Sequence, residues 1–256
     1  MDLTAAPGSG VQAVPYCGPL VAPQDLWSAW NTDPWLIAGL VCAFGVMLAH
    51  QRADVAGRAG SDRALVIAFA GLGLAFLSPL CAATVAIFSA RALHHLVLIC
   101  LVAPALALAL PLRALPATVG LALTALALVL WHVPDVYDAA WRSDAVYWLL
   151  QASLLLPGWI FWSAVLNPRD QGAAALFGHA LLVGGLAGVM GLIGAVLTFA
   201  PVALYPHHLP GAEALGIGLL ADQQLAGLVM WVPGFLPVAG FGFWMLRQGW
   251  RREFAA

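Results

Sequence analysis

The chain has 256 residues, of which 62% are hydrophobic and 9% charged. No soluble domain of this length hides that much apolar surface, so the bilayer has to be its solvent. The net charge is -2, all ten basic side chains are arginine, and the only basic run is Arg251-Arg252; nucleic acid is excluded as a partner.

Residues 1–33 carry Asp2, Asp25 and Asp33 but no basic residue, so they lack the positive start of a secretion signal and predict a short Pro/Gly-rich segment that stays on the protein. Seven apolar runs long enough to span follow. They cover roughly Pro34 to Ala49, Ala64 to Cys81, Ala92 to Leu110, Ala117 to His132, Ala145 to Leu166, Ala173 to Phe199, and Leu215 to Leu246. The expected fold is all-α, a seven-helix transmembrane bundle over residues 34–250 with a tail at 251–256. Pro233 and Pro237 predict a kink in the last span. Gly184, Gly185, Gly188, Gly191 and Gly194 predict close helix approach along the sixth.

Seven spans put the two ends on opposite sides. With the 51–63 loop in the cytoplasm, Arg52, Arg58, Arg63, Arg113, Arg169, Arg247, Arg251 and Arg252 are inside, and Arg91 and Arg142 outside. The positive-inside bias then places the amino terminus in the periplasm and the carboxyl terminus in the cytoplasm. Trp27, Trp30, Trp35, Trp131, Trp141 and Trp148 form the expected aromatic belt at the outer interface. Four cysteines are widely spaced without a C-x-x-C pair. Cys42, Cys81 and Cys100 read as inert apolar residues, while Cys17 reads as either structural or a reactive thiol.

This topology gathers five of the seven histidines on the outer side: His94, His95, His132, His207 and His208. Neutral imidazole is a common ligand for copper and zinc. His95 and His132 are expected at one depth and able to meet. His94 points about 100° away from His95. Arg91, four residues before His95, shares its face and repels a cation there. Asp222 is a carboxylate immersed in the last span and followed by Gln223 and Gln224; its expected partner is Arg91 or a protonated histidine. Met230 offers a soft thioether two turns deeper. Plainer roles stand beside these: a solvated pair for His207 and His208, an interfacial side chain for His132, a clamp for Asp222 with Arg91. His50 and His179 read as structural.

Several strings carry a resemblance. They are Ala92-Leu93-His94-His95-Leu96-Val97-Leu98, Trp131-His132-Val133-Pro134-Asp135-Val136-Tyr137-Asp138-Ala139-Ala140, Gly158 to Trp162, Leu204-Tyr205-Pro206, and the long run from Ala221-Asp222-Gln223-Gln224 to Met230-Trp231-Val232-Pro233-Gly234. Together they resemble the polytopic CtaG-like family of bacterial cytochrome c oxidase assembly factors. That resemblance implies a multi-pass protein of the bacterial inner membrane, not an enzyme, whose partners are cytochrome c oxidase subunits and the lipid bilayer. It implies copper as the cargo, with His95, His132 and Asp222 at family polar positions; haem is not expected. Where the family has a further histidine this chain has Arg91. Where an H-x-x-E-H pattern is expected it has Tyr147, Leu150 and Gln151. Two readings stay open: the metal site is lost, or His94, His207 and His208 take its place. A copper or proton transporter and a permanent oxidase subunit are the alternatives to an assembly factor.

Overall fold

The computed structural model describes residues 14–53, 62–112, 115–166 and 172–254, which leaves Arg58, Arg113 and Arg169 outside the described residues. Among the described residues the elements are helical. They are α1 (Pro34–Ala53), α2 (Asp62–Phe76), α3 (Pro79–Ala86), α4 (Phe88–Leu96), α5 (Ala103–Ala109), α6 (Ala117–Trp131), α7 (Pro134–Arg142), α8 (Asp144–Leu166), α9 (Ala173–Phe199), α10 (Leu209–Ala214) and α11 (Leu219–Phe254). Short 3-10 turns cover Pro23–Ser28 and Pro206–His208.

Among the described residues five helices are long and apolar enough to cross a bilayer: α1, the continuous α4–α5 rod, α8, α9 and α11. Two bent pairs raise the number to seven if each is one span: α2 with α3, bent by 43°, and α6 with α7, bent by 77°. The second expected span, Ala64 to Cys81, is therefore bent near its end, while the fourth, Ala117 to His132, is one helix followed by a bend at Pro134. The cause is proline at the first position of α3 and of α7, which has no N–H to give and clashes with the preceding turn. Ser78 restarts the chain by accepting the Leu80 amide at 3.1 Å. Pro233 and Pro237, by contrast, sit inside α11, which runs through both of them.

The α4–α5 rod is central, with 72% of its most apolar stretch buried, against 6% for α1. α11 packs along α9 and against α4, while α8 packs against α5 and α6. Apolar area is cheap in lipid, so contact between spans depends on shape. Gly194 and Gly227 make the tightest such contact: a Cβ on Gly194 would lie 2.8 Å from the Gly227 carbonyl oxygen, and one on Gly227 would collide with Thr198 and with the Gly194 carbonyl. Gly184, Gly188 and Gly191 face open space, so the glycine-rich appearance of α9 overstates its close contacts.

A π-helical turn, Val97–Val102, joins α4 to α5, and the Ala103 amide reaches back to the Leu98 carbonyl. Trp162 of α8 donates its indole N–H to the Ile99 carbonyl in this turn at 2.8 Å.

Two expectations are corrected here. Trp131 is 1% exposed, and its indole N–H donates to the Leu150 carbonyl at 3.0 Å, so it belongs to the core and not to an interfacial belt. Cys81 is not inert: it forms a disulfide with Cys17 across 64 residues, tying the amino-terminal segment to the start of α3. Cys42 and Cys100 are free.

Candidate functional site

α4 begins inside the protein, where its first amides have no water to bond. Asp222, in the first turn of α11, supplies the acceptor. Its Oδ2 takes the Phe88 amide at 2.6 Å, and its Oδ1 takes the Ser89 amide at 3.1 Å and the Ser89 hydroxyl at 2.6 Å. This corrects the expected Asp222–Arg91 or Asp222–histidine pairing: the carboxylate caps a helix whose positive end favours an anion. Gln223 fastens the preceding loop, accepting from the Leu204 amide at 2.6 Å and donating to the Val202 carbonyl at 3.2 Å. Gln224 is half-buried beside it, and Met230 is buried in the apolar core.

His94 and His95 are fully enclosed, with ring centres 5.9 Å apart. His95 lies 4.6 Å from the Trp131 ring and 6.0 Å from the His132 ring, while His94 meets Phe76 edge-on at 5.1 Å. None of the four ring nitrogens of His94 and His95 has a hydrogen-bond partner. His132 is half-buried. Its Nδ1 lies 2.6 Å from the Leu128 carbonyl, so that nitrogen carries the proton and Nε2 keeps the lone pair.

The other two histidines are held apart from this group. Phe88 stands between them, its ring 6.2 Å from His132 and 5.6 Å from His208, and Tyr205 stacks on it at 3.9 Å. His208 faces the Val85 carbonyl through Nδ1 at 3.2 Å and accepts the Tyr137 hydroxyl on Nε2 at 2.6 Å. Burial, helped by the Arg91 charge, pushes its pKa down to about 3. His207 bonds Asp138 at 2.6 Å, Asp138 also holds Arg142 at 2.6 Å, and the imidazole stacks on Trp141 at 4.8 Å. Among the described residues no group of three or more His, Cys, Asp or Glu side chains is gathered closely enough to hold a metal ion. The expected common pocket is thus divided into an imidazole group, a helix cap and an ion-paired rim.

Arg91 occupies a fourth compartment. It is 3% exposed, and its Nη2 donates to the Thr84 carbonyl at 3.3 Å. Its guanidinium carbon lies 5.8 Å from the Trp131 ring, 5.9 Å from Tyr137 and 5.6 Å from Tyr147, distances suited to cation–π attraction. The amino-terminal segment lies over this box. Tyr16 stacks on Tyr147 at 5.2 Å and meets Trp148 edge-on at 4.9 Å, and the Cys17 sulfur is 3.7 Å from the Tyr147 hydroxyl. Tyr16 donates to Asp33 at 2.7 Å, which holds the Asp33 carboxyl below its usual range; burial, then Asp33, raises the Tyr16 phenol. Two positions where a metal ligand was expected, Arg91 and Tyr147, therefore meet in one place as a cation and a phenol.

Phe88, Tyr16, Tyr137 and Tyr205 were not singled out from the sequence, although Tyr137 and Tyr205 lie within the quoted strings. An aromatic residue in an apolar run carries no signal of its own.

No curated protein and no solved structure matches the chain. A family model does, over residues 41–253, and its description is cytochrome c oxidase caa3 assembly factor. The match runs from within α1 into the last turn of α11, and the chain belongs to the cytochrome c oxidase caa3 assembly factor family.

Proposed function

We propose that this multi-pass protein helps to mature a haem–copper cytochrome c oxidase in the bacterial inner membrane. In this reading His95 and His132 hold Cu(I) transiently at the periplasmic face. Family membership supports the oxidase role. The arginine distribution and the Cys17–Cys81 disulfide, at home in an oxidising compartment, support the orientation.

One observation carries the copper assignment. The His95 ring nitrogens are buried without partners, and the His132 ring is 6.0 Å away with Nε2 unprotonated. Buried polar atoms are rarely left unsatisfied without a function. Two imidazoles bound to one ion at about 2.0 Å each have ring centres roughly 6 Å apart. Imidazole suits copper, and two nitrogens satisfy Cu(I) while leaving it free to move on. Arg91 on the same helix keeps the hold weak, as delivery requires. Asp222 takes no part, because both its oxygens are engaged by α4.

The test is copper analysis of the purified protein loaded under reducing conditions. Wild type should hold one Cu(I) per chain, and His95→Ala and His132→Ala should lose it. Wild type holding no more copper than either variant refutes the copper assignment. Separately, deletion of the gene should lower the copper content and activity of the oxidase; an unaffected oxidase refutes the assembly role.

A further inference from the structure

The Arg91 box is separate from the imidazole pair and has its own chemistry. It holds a small cavity of about 10 Å³, lined by Arg91, Trp131, Tyr137, Tyr147, Tyr16 and Cys17 among others. That is room for one small occupant. Arg91 is the one charged side chain on the lining. Its Nε and Nη1 are buried without a hydrogen-bond partner, and its ion pairs within 4.0 Å number none among the described residues. Asp222 cannot serve, since its oxygens are committed to Phe88 and Ser89. The Tyr137 and Tyr147 phenols stand beside the guanidinium, and neither is a carboxylate.

A buried cation without a counter-charge is costly, because neither lipid nor protein replaces its water shell. Three aromatic faces offset part of that cost. Two N–H groups remain whose nearby acceptors among the described residues, the Tyr137 and Tyr147 hydroxyls, carry no negative charge. Guanidinium N–H groups bond most strongly to an anion. A polyatomic anion does not fit so small a space, whereas a halide is little wider than water.

We propose that the Arg91 box binds a single small monovalent anion of the halide class. The Tyr16–Cys17 segment closes the site, and the disulfide to Cys81 holds that cover in place. The bound anion neutralises Arg91 and fixes the box that backs His95 through their shared neighbour Trp131.

The experiment uses the full chain in detergent micelles. Thermal unfolding is followed in sodium chloride and in sodium gluconate at equal ionic strength. Chloride should raise the midpoint saturably, by about 3–5 °C at tenfold excess over its dissociation constant. Arg91→Gln should abolish the difference. Should that variant not fold, Arg91→Lys decides: it keeps the charge without the fork, and the half-saturating chloride concentration should rise about tenfold. Bromide quenching of tryptophan fluorescence, to which Trp131 in the box wall contributes, gives a second readout on the wild type; it should saturate and be relieved by chloride. Equal midpoints in both salts together with linear quenching overturn the proposal and leave a water in the cavity. A chloride effect that persists unchanged in Arg91→Gln or Arg91→Lys overturns it as well, placing the ion elsewhere. Copper binding to His95 and His132 is read separately, so either proposal can fail alone.

Discussion

Asp222 and Phe88 are 134 residues apart, and the carboxylate of one accepts the backbone amide of the other at 2.6 Å. The bond joins the last helix to the start of the helix that carries Arg91, His94 and His95. A buried amide that loses its acceptor costs about 1–3 kcal/mol, and a charged acceptor contributes more than a neutral one. Asp222→Ala strands two amides and should lower stability by about 3 kcal/mol or more. Asp222→Asn keeps one acceptor oxygen and should cost roughly half as much. Unfolding midpoints of the two variants in detergent check this. Equal loss in both would mean that charge, rather than hydrogen bonding, dominates.

The contact of Gly227 with Gly194 leaves no space for a methyl group, because the obstacles are backbone atoms and Thr198. Gly227→Ala should therefore part α11 from α9 and cost about 1–3 kcal/mol. Gly188→Ala, at a position facing open space, should be close to neutral. The comparison is made by the yield and thermal midpoint of folded protein for each.

His208 gives a pH dependence whose sign is fixed. Its pKa in the folded protein is about 3, below the usual histidine value, so the unfolded chain takes up a proton that the folded one refuses. Stability is full above about pH 6.5 and falls as pH drops toward 3, by up to about 1.4 kcal/mol per pH unit. His208→Gln can still accept from Tyr137 and does not titrate. Its unfolding midpoint should change less than the wild-type midpoint between pH 7 and pH 5.

The Cys17–Cys81 link closes a loop of 64 residues in sequence. Cross-links of this kind stabilise small soluble proteins by about 2–4 kcal/mol. Reductant should lower the wild-type midpoint and leave a Cys17→Ser variant unmoved. Alkylation with and without reduction, followed by mass measurement, should reveal two thiols that appear only after reduction.

Helix positions were largely legible in the sequence because lipid demands long apolar runs, and α8 and α9 begin and end within a residue of the expected limits. The bends at Pro79 and Pro134 were written there as well, but hydropathy does not distinguish a bent run from a straight one. Asp222 stood out as a carboxylate within an apolar run, yet its partner was sought among side chains when it was the backbone of another helix. The expected approach of His95 to His132 agrees with their ring separation of 6.0 Å, but the reading behind it came from membrane sidedness alone. It could not foresee that the Phe88 ring would separate His132 from His208, since that depends on packing between α4 and the loop before α11. The Cys17–Cys81 pairing was invisible for a similar reason: spacing alone does not say which thiols meet.

The wide turn at Val97–Val102 holds one residue more than a regular α-helical turn, and Trp162 occupies its displaced carbonyl. In a regular α-helix one surplus residue would rotate everything before it by about 100° relative to everything after it, and the wide turn absorbs that rotation. The half of the rod that carries the two imidazoles is therefore turned about 100° from where a regular helix of this sequence would place it relative to the alanine-rich half that packs on α2 and α8. Regularising the turn to an α-helix with all its residues kept would leave composition and hydropathy untouched and swing His95 away from His132. The meeting of those two rings is thus set halfway down the helix, at residues that touch neither.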